Sequence, residues 1–207
     1  MALSQDLRAA LTSFDGKATS LLGEAEAAFG GQAGYVEALI ALIGDAEPYV
    51  GSGATWLLKS FFEQGGALSA QQTQTLIAAL PSNETRDHPE ARDHARNGVG
   101  AAHWSTQLHL CQSIRYLDLS GAGSPNLRVS DLWVSGLWVW VEPLLTHKRP
   151  FVRAWSLDAL AHLAREHKAY QANFEQALQR ASKDEAASVR ARGRGLLLDG
   201  LSRPALL

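Results

Sequence analysis

The sequence predicts an all-α protein, and three observations lead to this prediction. Alternating runs rich in Val, Ile and Thr, which are typical of strands, are nearly absent, whereas Ala, Leu, Gln, Glu and Arg are abundant. Apolar residues recur at intervals of three and four, which is the period of an α-helix. The 207 residues are 46% hydrophobic and 19% charged, so the chain has enough apolar side chains for a core. We expect about nine or ten helices within a single domain.

The first five predicted helices precede Pro81. Their apolar residues lie at positions 3–11, 21–29, 35–43, 56–62 and 70–80. Ser69 stands where a side-chain oxygen can cap the fifth helix, and Pro81 ends that helix because proline has no N–H to continue the hydrogen-bonding pattern. The helices within residues 1–30 are predicted to form an N-terminal cap on the rest of the chain.

Five further helices follow, and two polar segments separate them. The predicted spans are 104–117, 131–146, 151–166, 170–181 and 186–198. Residues 82–102 and residues 118–130 combine polar side chains with glycine and proline. Both segments are predicted to be loops, and the first is long enough to be an insertion.

An internal repeat is centred on the segment that runs from Val152 to Leu160. When Val152 is counted as position 0, small or apolar residues fall at positions 4, 7, 8 and 11, which form one face of a helix. Segments that start at Val50, Thr106 and Val189 place similar residues at most of these positions. One face of each of these four helices is therefore predicted to point into the core.

The turn before each repeated helix has a characteristic residue five positions before position 0. Asp45 and Asp184 occupy this place in the first and last units. An Asp in such a turn can accept backbone N–H groups and cap the helix that follows. His147 and Ala101 occupy the same place in the other two units.

The segment Pro143-Leu144-Leu145, followed by Val152-Arg153, Ser156 and Ala159-Leu160, resembles the HEAT repeat. The resemblance is closest over 143–163, weaker over 37–61 and 184–197, and weakest over 106–117. In that family two antiparallel helices form each unit, and the units stack into an armadillo-type α-solenoid whose second helices line the concave side. Stacking is required because one helix pair cannot bury its own apolar face.

The resemblance implies a right-handed α-α superhelix of about four helix pairs with an N-terminal helical cap. The whole chain, 1–207, would form this one solenoid domain. Residues 82–102 would be a polar loop inserted into it, and residues 184–207 would form the C-terminal repeat or cap.

Positions 3, 6 and 10 of each repeated helix are predicted to point away from the core and to form the concave surface. The candidate partner-binding residues on this face are Trp56, His109, Gln112, Tyr116, Trp155, Asp158, His162 and Arg192, and Ser60 and Asp199 share it. Aromatic and arginine side chains are enriched at binding surfaces. The pattern favours a non-catalytic scaffold that grips a protein or peptide. The alternative is that Trp56 and Trp155 fill gaps between uneven repeats.

The charge of the chain is unevenly distributed. Residues 1–147 carry 8 Lys and Arg against 15 Asp and Glu, whereas residues 148–207 carry 11 against 6. The basic residues concentrate at Arg180, Lys183, Arg190, Arg192 and Arg194. This basic end is interpreted as the solvated outer face of the last repeat, and the alternative is contact with the phosphates of a nucleic acid.

A second functional hypothesis is enzymatic. Some bacterial proteins of similar size and HEAT-like fold are alkylpurine DNA glycosylases, in which a concave carboxylate and Trp residues flank the damaged nucleotide. This chain is similar to them in size and predicted fold, and it has Asp158 close to Trp155 with basic residues following. The catalytic motif of that family does not match residue by residue, so no catalytic role is carried over.

Other motifs point to no further chemistry. The sequence lacks Gly-x-Ser-x-Gly, Walker, Gly-x-Gly-x-x-Gly and His-Glu-x-x-His motifs. The repeated tripeptide at 86–88 and 92–94, Arg-Asp-His, is interpreted as a charged loop rather than a metal site. Cys111 is the one cysteine and is expected to be a buried, inert thiol. We predict no catalytic residue, no metal and no cofactor.

One helix is rich in tryptophan. Trp133, Trp138 and Trp140 are interpreted as core residues, and the alternative is a stacking platform for a base or ligand. The most apolar stretch, 132–141, has ten residues, whereas a membrane span needs about 20. The N-terminus lacks a basic region followed by an apolar one. We therefore expect a cytoplasmic protein without a membrane partner.

Overall fold

The computed structural model describes residues 2–80, 103–119 and 127–202. Within these ranges the protein is all-helical, with ten α-helices and no strand. The chain divides into two compact units, residues 1–118 and residues 119–207, which are described in turn. The predicted insertion at 82–102 lies outside the described residues.

Six α-helices of the described residues belong to the first unit. They are α1 (Ala2–Thr12), α2 (Thr19–Phe29), α3 (Tyr35–Ala41), α4 (Pro48–Glu63), α5 (Ala70–Ala78) and α6 (Trp104–Ile114). Ser69 caps α5 as predicted, because its Oγ accepts the N–H of Gln72 at 3.2 Å. Gln72 completes a capping box, since its Oε1 accepts the N–H of Ser69 at 2.8 Å.

The helices of the first unit pack in two layers. Helix α3 contacts both α1 and α5, and helix α4 contacts both α2 and α6. Helix α4 also packs across the layers against α1 and α3. Helices α1, α3 and α5 therefore form one layer, and helices α2, α4 and α6 form the other.

Helices α2, α4 and α6 of the first unit run parallel to one another. The backbone of Gly53 in α4 lies beside Leu22 of α2, where an added Cβ would stand 3.1 Å from the leucine side chain, and further along Ser60 bonds to Glu26. Between α4 and α6 the contacts progress in the same direction, from Ser52 with Ser105 to Phe62 with Tyr116. Residue numbers that rise together along both helices define a parallel arrangement.

The second unit contains four α-helices and two short 3₁₀-helices among its described residues. They are α7 (Leu127–Val141), a 3₁₀-helix (Glu142–Thr146), α8 (Pro150–Glu166), a 3₁₀-helix (Lys168–Tyr170), α9 (Gln171–Ala181) and α10 (Ala187–Ser202). Helix α8 is central, because it packs against all five other elements. The backbone of Gly193 in α10 lies against Leu157 of α8 and Ala181 of α9.

Helix α7 differs from the prediction at both ends. It begins at Leu127, four residues before the predicted start, because Leu127 and Val129 stand two residues apart and do not show the period of a helix. It ends at Val141, and a 3₁₀-helix takes over residues 142–146. Pro143 explains this change, since proline has no N–H for the α-helical hydrogen bond.

The tryptophans of α7 belong to the core. Trp133, Trp138 and Trp140 are all buried, which confirms their interpretation as core residues. The ring of Trp138 stacks on that of Tyr170, with 4.6 Å between the ring centroids. Cys111 in α6 is also fully buried, as predicted.

The inward positions of the repeat are buried with two exceptions. Val50, Thr106, Val152 and Val189 at position 0 are all buried, and so are the residues at positions 4, 7 and 8 of each helix, apart from Leu197. Leu197, in the second half of α10, is 48% exposed. Phe61 at position 11 of α4 is only partly buried, and its neighbour Phe62 is the buried ring.

The turn aspartates accept backbone N–H groups two residues along the chain and also join elements, and the N-cap residue of α4 is Glu47 rather than Asp45. Asp45 accepts the N–H of Glu47 at 2.9 Å, and Asp184 accepts the N–H of Ala186 at 2.8 Å, as the sequence predicts. Arg8 donates two hydrogen bonds to Asp45, at 2.6 and 3.0 Å. These bonds tie α1 to the turn between α3 and α4.

A second ion pair of this kind ties α8 to the turn before α10. Arg153 donates two hydrogen bonds to Asp184, at 2.9 and 2.8 Å, and a third to the carbonyl of His147 at 2.9 Å. The side chain of Arg153 is only 7% exposed. The hydrogen bond from Arg153 is the main cause that lowers the pKa of the Asp184 carboxyl.

His147 takes the place of the turn aspartate in its own unit. Its Nδ1 accepts the N–H of Arg149 at 3.0 Å, which is the same bond, two residues along the chain, that Asp45 and Asp184 make. A neutral imidazole nitrogen can accept a hydrogen bond as a carboxylate does. The departure from Asp at position 147 therefore keeps the local structure of the turn.

No helix of the described ranges is long and apolar enough to cross a membrane.

Loss of Asp184 should destabilise the protein much more than loss of Asp45. Asp184→Ala leaves the buried Arg153 with only the exposed carboxylate of Glu185, 3.4 Å away, and we expect the free energy of unfolding to fall by about 3 kcal/mol. Asp45→Ala leaves Arg8, which is 44% exposed and can be solvated by water, so the loss of stability should be much smaller. Urea unfolding followed by circular dichroism measures both changes, and equal losses would contradict the prediction.

The contribution of Asp184 should also depend on pH. Because its pKa is lowered in the folded protein, the ionised carboxylate stabilises the fold above the ordinary Asp pKa, and this contribution is lost as the pH falls. The difference in stability between the wild type and Asp184→Asn should shrink between about pH 5 and pH 2. A constant difference over this range would contradict the ion-pair account.

Candidate functional site

One face of α8 carries a row of large and polar side chains. Phe151, Trp155, Asp158 and His162 are separated by four, three and four residues, which places them along a single face of the helix. Phe151 is 65% exposed, and Trp155 and His162 are partly exposed. The sequence predicts the last three as site residues, and Phe151 is the member that it misses.

Arg192 of α10 lies over this row. Its Cζ stands 4.3 Å from the centroid of the Trp155 ring, which is a cation–π contact. Its Nη1 lies 3.3 Å from Oδ1 of Asp158. The structure therefore brings together three of the predicted site residues, although Arg192 is 34 positions from Asp158 and 37 from Trp155 in the sequence.

An open groove on α10 adjoins Arg192. It is lined by Ser188, Ala191, Arg192, Gly195 and Leu196. Its small side chains leave space beside the guanidinium, and a Cβ added at Gly195 would meet no other atom within 4 Å. We refer to this groove, together with Phe151, Trp155, Asp158 and His162, as the Trp155–Arg192 surface.

In the first unit, two predicted site residues in or just after α6 contact α4. His109 Nδ1 lies 3.3 Å from Oγ1 of Thr55. The ring of Tyr116 stacks on that of Phe62, with 5.7 Å between the centroids and 6° between the planes. Gln112, on the same face of α6, is partly exposed. His109 in α6 and Tyr116, two residues past its end, therefore line the contact with α4.

Trp56 lies on the open side of α4 and is partly exposed. Ser60, one turn further along, donates a hydrogen bond to Glu26 of α2 at 3.4 Å. Gln64 donates to the same carboxylate at 3.0 Å. The side chain of Asp199, which the sequence also assigns to the binding face, lies outside the described residues.

A common rule explains these placements. Four of the predicted residues contact the helix that lies beside their own: Ser60 contacts α2, His109 and Tyr116 contact α4, and Arg192 contacts α8. The period of the sequence predicts that these positions avoid the core. It does not reveal that a helix within a layer also has neighbours at its sides.

The contact between α4 and α6 holds polar groups that the sequence analysis misses. Oγ of Ser52 and Oγ of Ser105 lie 2.5 Å apart, and His103 Nδ1 lies 2.6 Å from the second of them. Both serines are buried. The run of small and polar residues from Gly51 to Thr55 could have indicated this buried network. It distinguishes α4 from an ordinary core helix.

Within the described ranges, no group of three His, Cys, Asp or Glu side chains stands close enough together to hold a metal ion. The Arg-Asp-His tripeptides at 86–88 and 92–94 lie outside those ranges.

Comparison of the chain with protein-family models, with curated proteins and with solved structures finds no match.

The burial of His109 predicts a loss of stability in mild acid. Burial is the main cause that lowers the pKa of His109 to about 4, from 6.5 for an exposed imidazole. Between pH values equal to these two pKa values, the unfolded chain therefore binds a proton at His109, whereas the folded protein does not. The free energy of unfolding should fall by roughly 1 kcal/mol per pH unit from this residue as the pH drops through that window.

The variant His109→Gln isolates this effect, because glutamine keeps a hydrogen-bonding group and does not titrate. Urea unfolding of the wild type and the variant at about pH 7.5, 5.5 and 4.5 should show two curves that converge as the pH falls. Curves that stay parallel would show that His109 is not held neutral in the fold.

Proposed function

We propose that the protein is a non-catalytic scaffold that binds a segment of a partner protein on the Trp155–Arg192 surface. The observation that carries the proposal is the guanidinium of Arg192 held 4.3 Å over the partly exposed ring of Trp155. Trp and Arg are the residues that most often dominate the energy of protein interfaces. Here the two side chains are in contact, and Arg192 also lines an open groove on α10.

Exposed apolar side chains in the same unit support a protein partner. Phe151, which adjoins Trp155 on α8, is 65% exposed. Leu132 and Val139 are seven residues apart on one face of α7 and are also exposed. Exposed apolar side chains that cluster on a domain are typical of surfaces that bind other proteins.

We further propose that the helix pairs form an α-solenoid similar to HEAT repeats. The parallel second helices within the first unit support this architecture, since stacked pairs of one handedness require it. The turn residues Asp45, His147 and Asp184, which make the same bond to the backbone, support an origin from one repeated unit.

An alkylpurine DNA glycosylase is the second candidate, and one observation favours it. The Asp158 side chain is only 14% exposed and lies beside Trp155 with a single arginine contact. A carboxylate in this position can stabilise positive charge on a base or a sugar, and the indole can stack on a base. The acidic balance of residues 1–118 argues against a long DNA footprint.

Affinity capture with the full chain tests the scaffold. Trp155→Ala and Arg192→Ala should each reduce the captured partner about tenfold or more, because each removes a side chain at the centre of the surface. Arg194→Ala is the matched control, since Arg194 is exposed on α10 two residues further along and should leave capture unchanged. Equal capture by all variants, with an unchanged helical circular dichroism spectrum, would contradict the proposal.

A DNA assay separates the two candidates. Duplex DNA, plain and N7-methylated, is offered to the protein at about 50 and 200 mM salt, and base release is measured in parallel. The scaffold predicts no base release. Salt-sensitive binding together with base release that Asp158→Asn abolishes would establish the enzyme instead.

A further inference from the structure

Three arginine–aspartate pairs of the described residues differ sharply in how they are built. In the pairs of Arg8 with Asp45 and of Arg153 with Asp184, two nitrogens of the arginine contact both carboxylate oxygens at 2.6 to 3.0 Å. Each of these aspartates also accepts a backbone N–H. Both pairs therefore have the geometry of structural ion pairs.

The pair of Arg192 with Asp158 lacks all of these features. It has one contact, at 3.3 Å, between Nη1 and Oδ1. Within the described part of the chain, Nε and Nη2 of Arg192 have no hydrogen-bond acceptor, and Asp158 receives no backbone N–H. The Arg192 side chain is 35% exposed, so these donors can meet a ligand.

The indole of Trp155 holds the guanidinium in place for such a ligand. A guanidinium that stacks on an aromatic ring keeps its N–H edge directed to the side, and that edge matches the two oxygens of a carboxylate. The surrounding charge favours an acidic ligand, because residues 148–207 carry 11 Lys and Arg against 6 Asp and Glu. The groove of small residues beside Arg192 offers space for an apolar side chain next to that carboxylate.

We propose that the Trp155–Arg192 surface binds an acidic segment of a partner protein, and that Asp158 is an internal competitor that weakens this binding. A carboxylate of the partner takes the bidentate position on Arg192, and the contact with Asp158 is given up. This inference rests on the proposed scaffold function and adds the chemistry of the partner and the element that limits its affinity.

The competitor role makes an unusual prediction. Asp158→Asn keeps the shape of the side chain and removes the competing charge, so affinity for an acidic peptide should rise about three- to tenfold. Asp131→Asn is the matched control, because Asp131 is an exposed carboxylate of the same unit that pairs with His167. It changes the net charge by the same amount and should leave affinity nearly unchanged.

The probe is a phage-displayed library of random 12-residue peptides, selected on the full chain with counter-selection on the Trp155→Ala/Arg192→Ala double variant. Peptides with Asp or Glu next to one Leu or Phe are expected. The strongest peptide is then made with a fluorescein label, and its binding to each variant is measured by anisotropy. Arg192→Lys should lose about tenfold, because an ammonium group cannot form the bidentate contact. Circular dichroism confirms that each variant is folded.

Each outcome of this experiment decides something. If the wild type selects no peptides beyond those selected by the double variant, the scaffold proposal itself fails. If it selects peptides without acidic residues, the scaffold stands and the inference about the partner is wrong. If acidic peptides bind but Asp158→Asn binds them equally or more weakly, Asp158 is an ordinary contact and the competitor role is overturned.

Discussion

The position of Arg192 over Trp155 depends on the ion pair between Arg153 and Asp184. That pair fixes the turn before α10 against the first turn of α8, so that the two helices start side by side. Once the starts are fixed, Gly193 allows the helix backbones to approach, with its own backbone against Leu157. The Trp155–Arg192 surface consists of residues from two helices, so its geometry follows from this one buried ion pair.

Much of the fold can be predicted from the sequence, because buried residues recur along the chain with the period of a helix. The inward positions of α4, α6 and α8 alternate at three and four residues, and the structure buries nearly all of them. Ser69 was readable as a cap because its oxygen acts on the backbone three residues away. The start of α7 could not be predicted, since Leu127 and Val129 in its first turn are two residues apart and do not show the period of a helix.

The candidate site could be predicted only in part, because the period of the sequence gives no information on contacts between helices. Periodicity assigns each side chain an angle around its own helix, and contacts between helices depend on distances in space. Trp155 and Asp158 share a helix, so the sequence grouped them correctly. That Arg192 stacks on Trp155, while His109 lies against Thr55 inside a helix contact, follows from how neighbouring helices stand beside each other. The buried serines at 52 and 105 left no periodic signal for the same reason.

His147 gives one turn of the second unit a property that the aspartate turns lack. A carboxylate in a turn keeps accepting a backbone N–H until strong acid neutralises it, and even then one oxygen can still accept. An imidazole nitrogen that binds a proton becomes a donor and faces the N–H of Arg149 with the wrong polarity. The loop at His147 therefore keeps its bond to the N–H of Arg149 only while Nδ1 carries no proton. It directly precedes α8, the helix that carries Trp155 and Asp158.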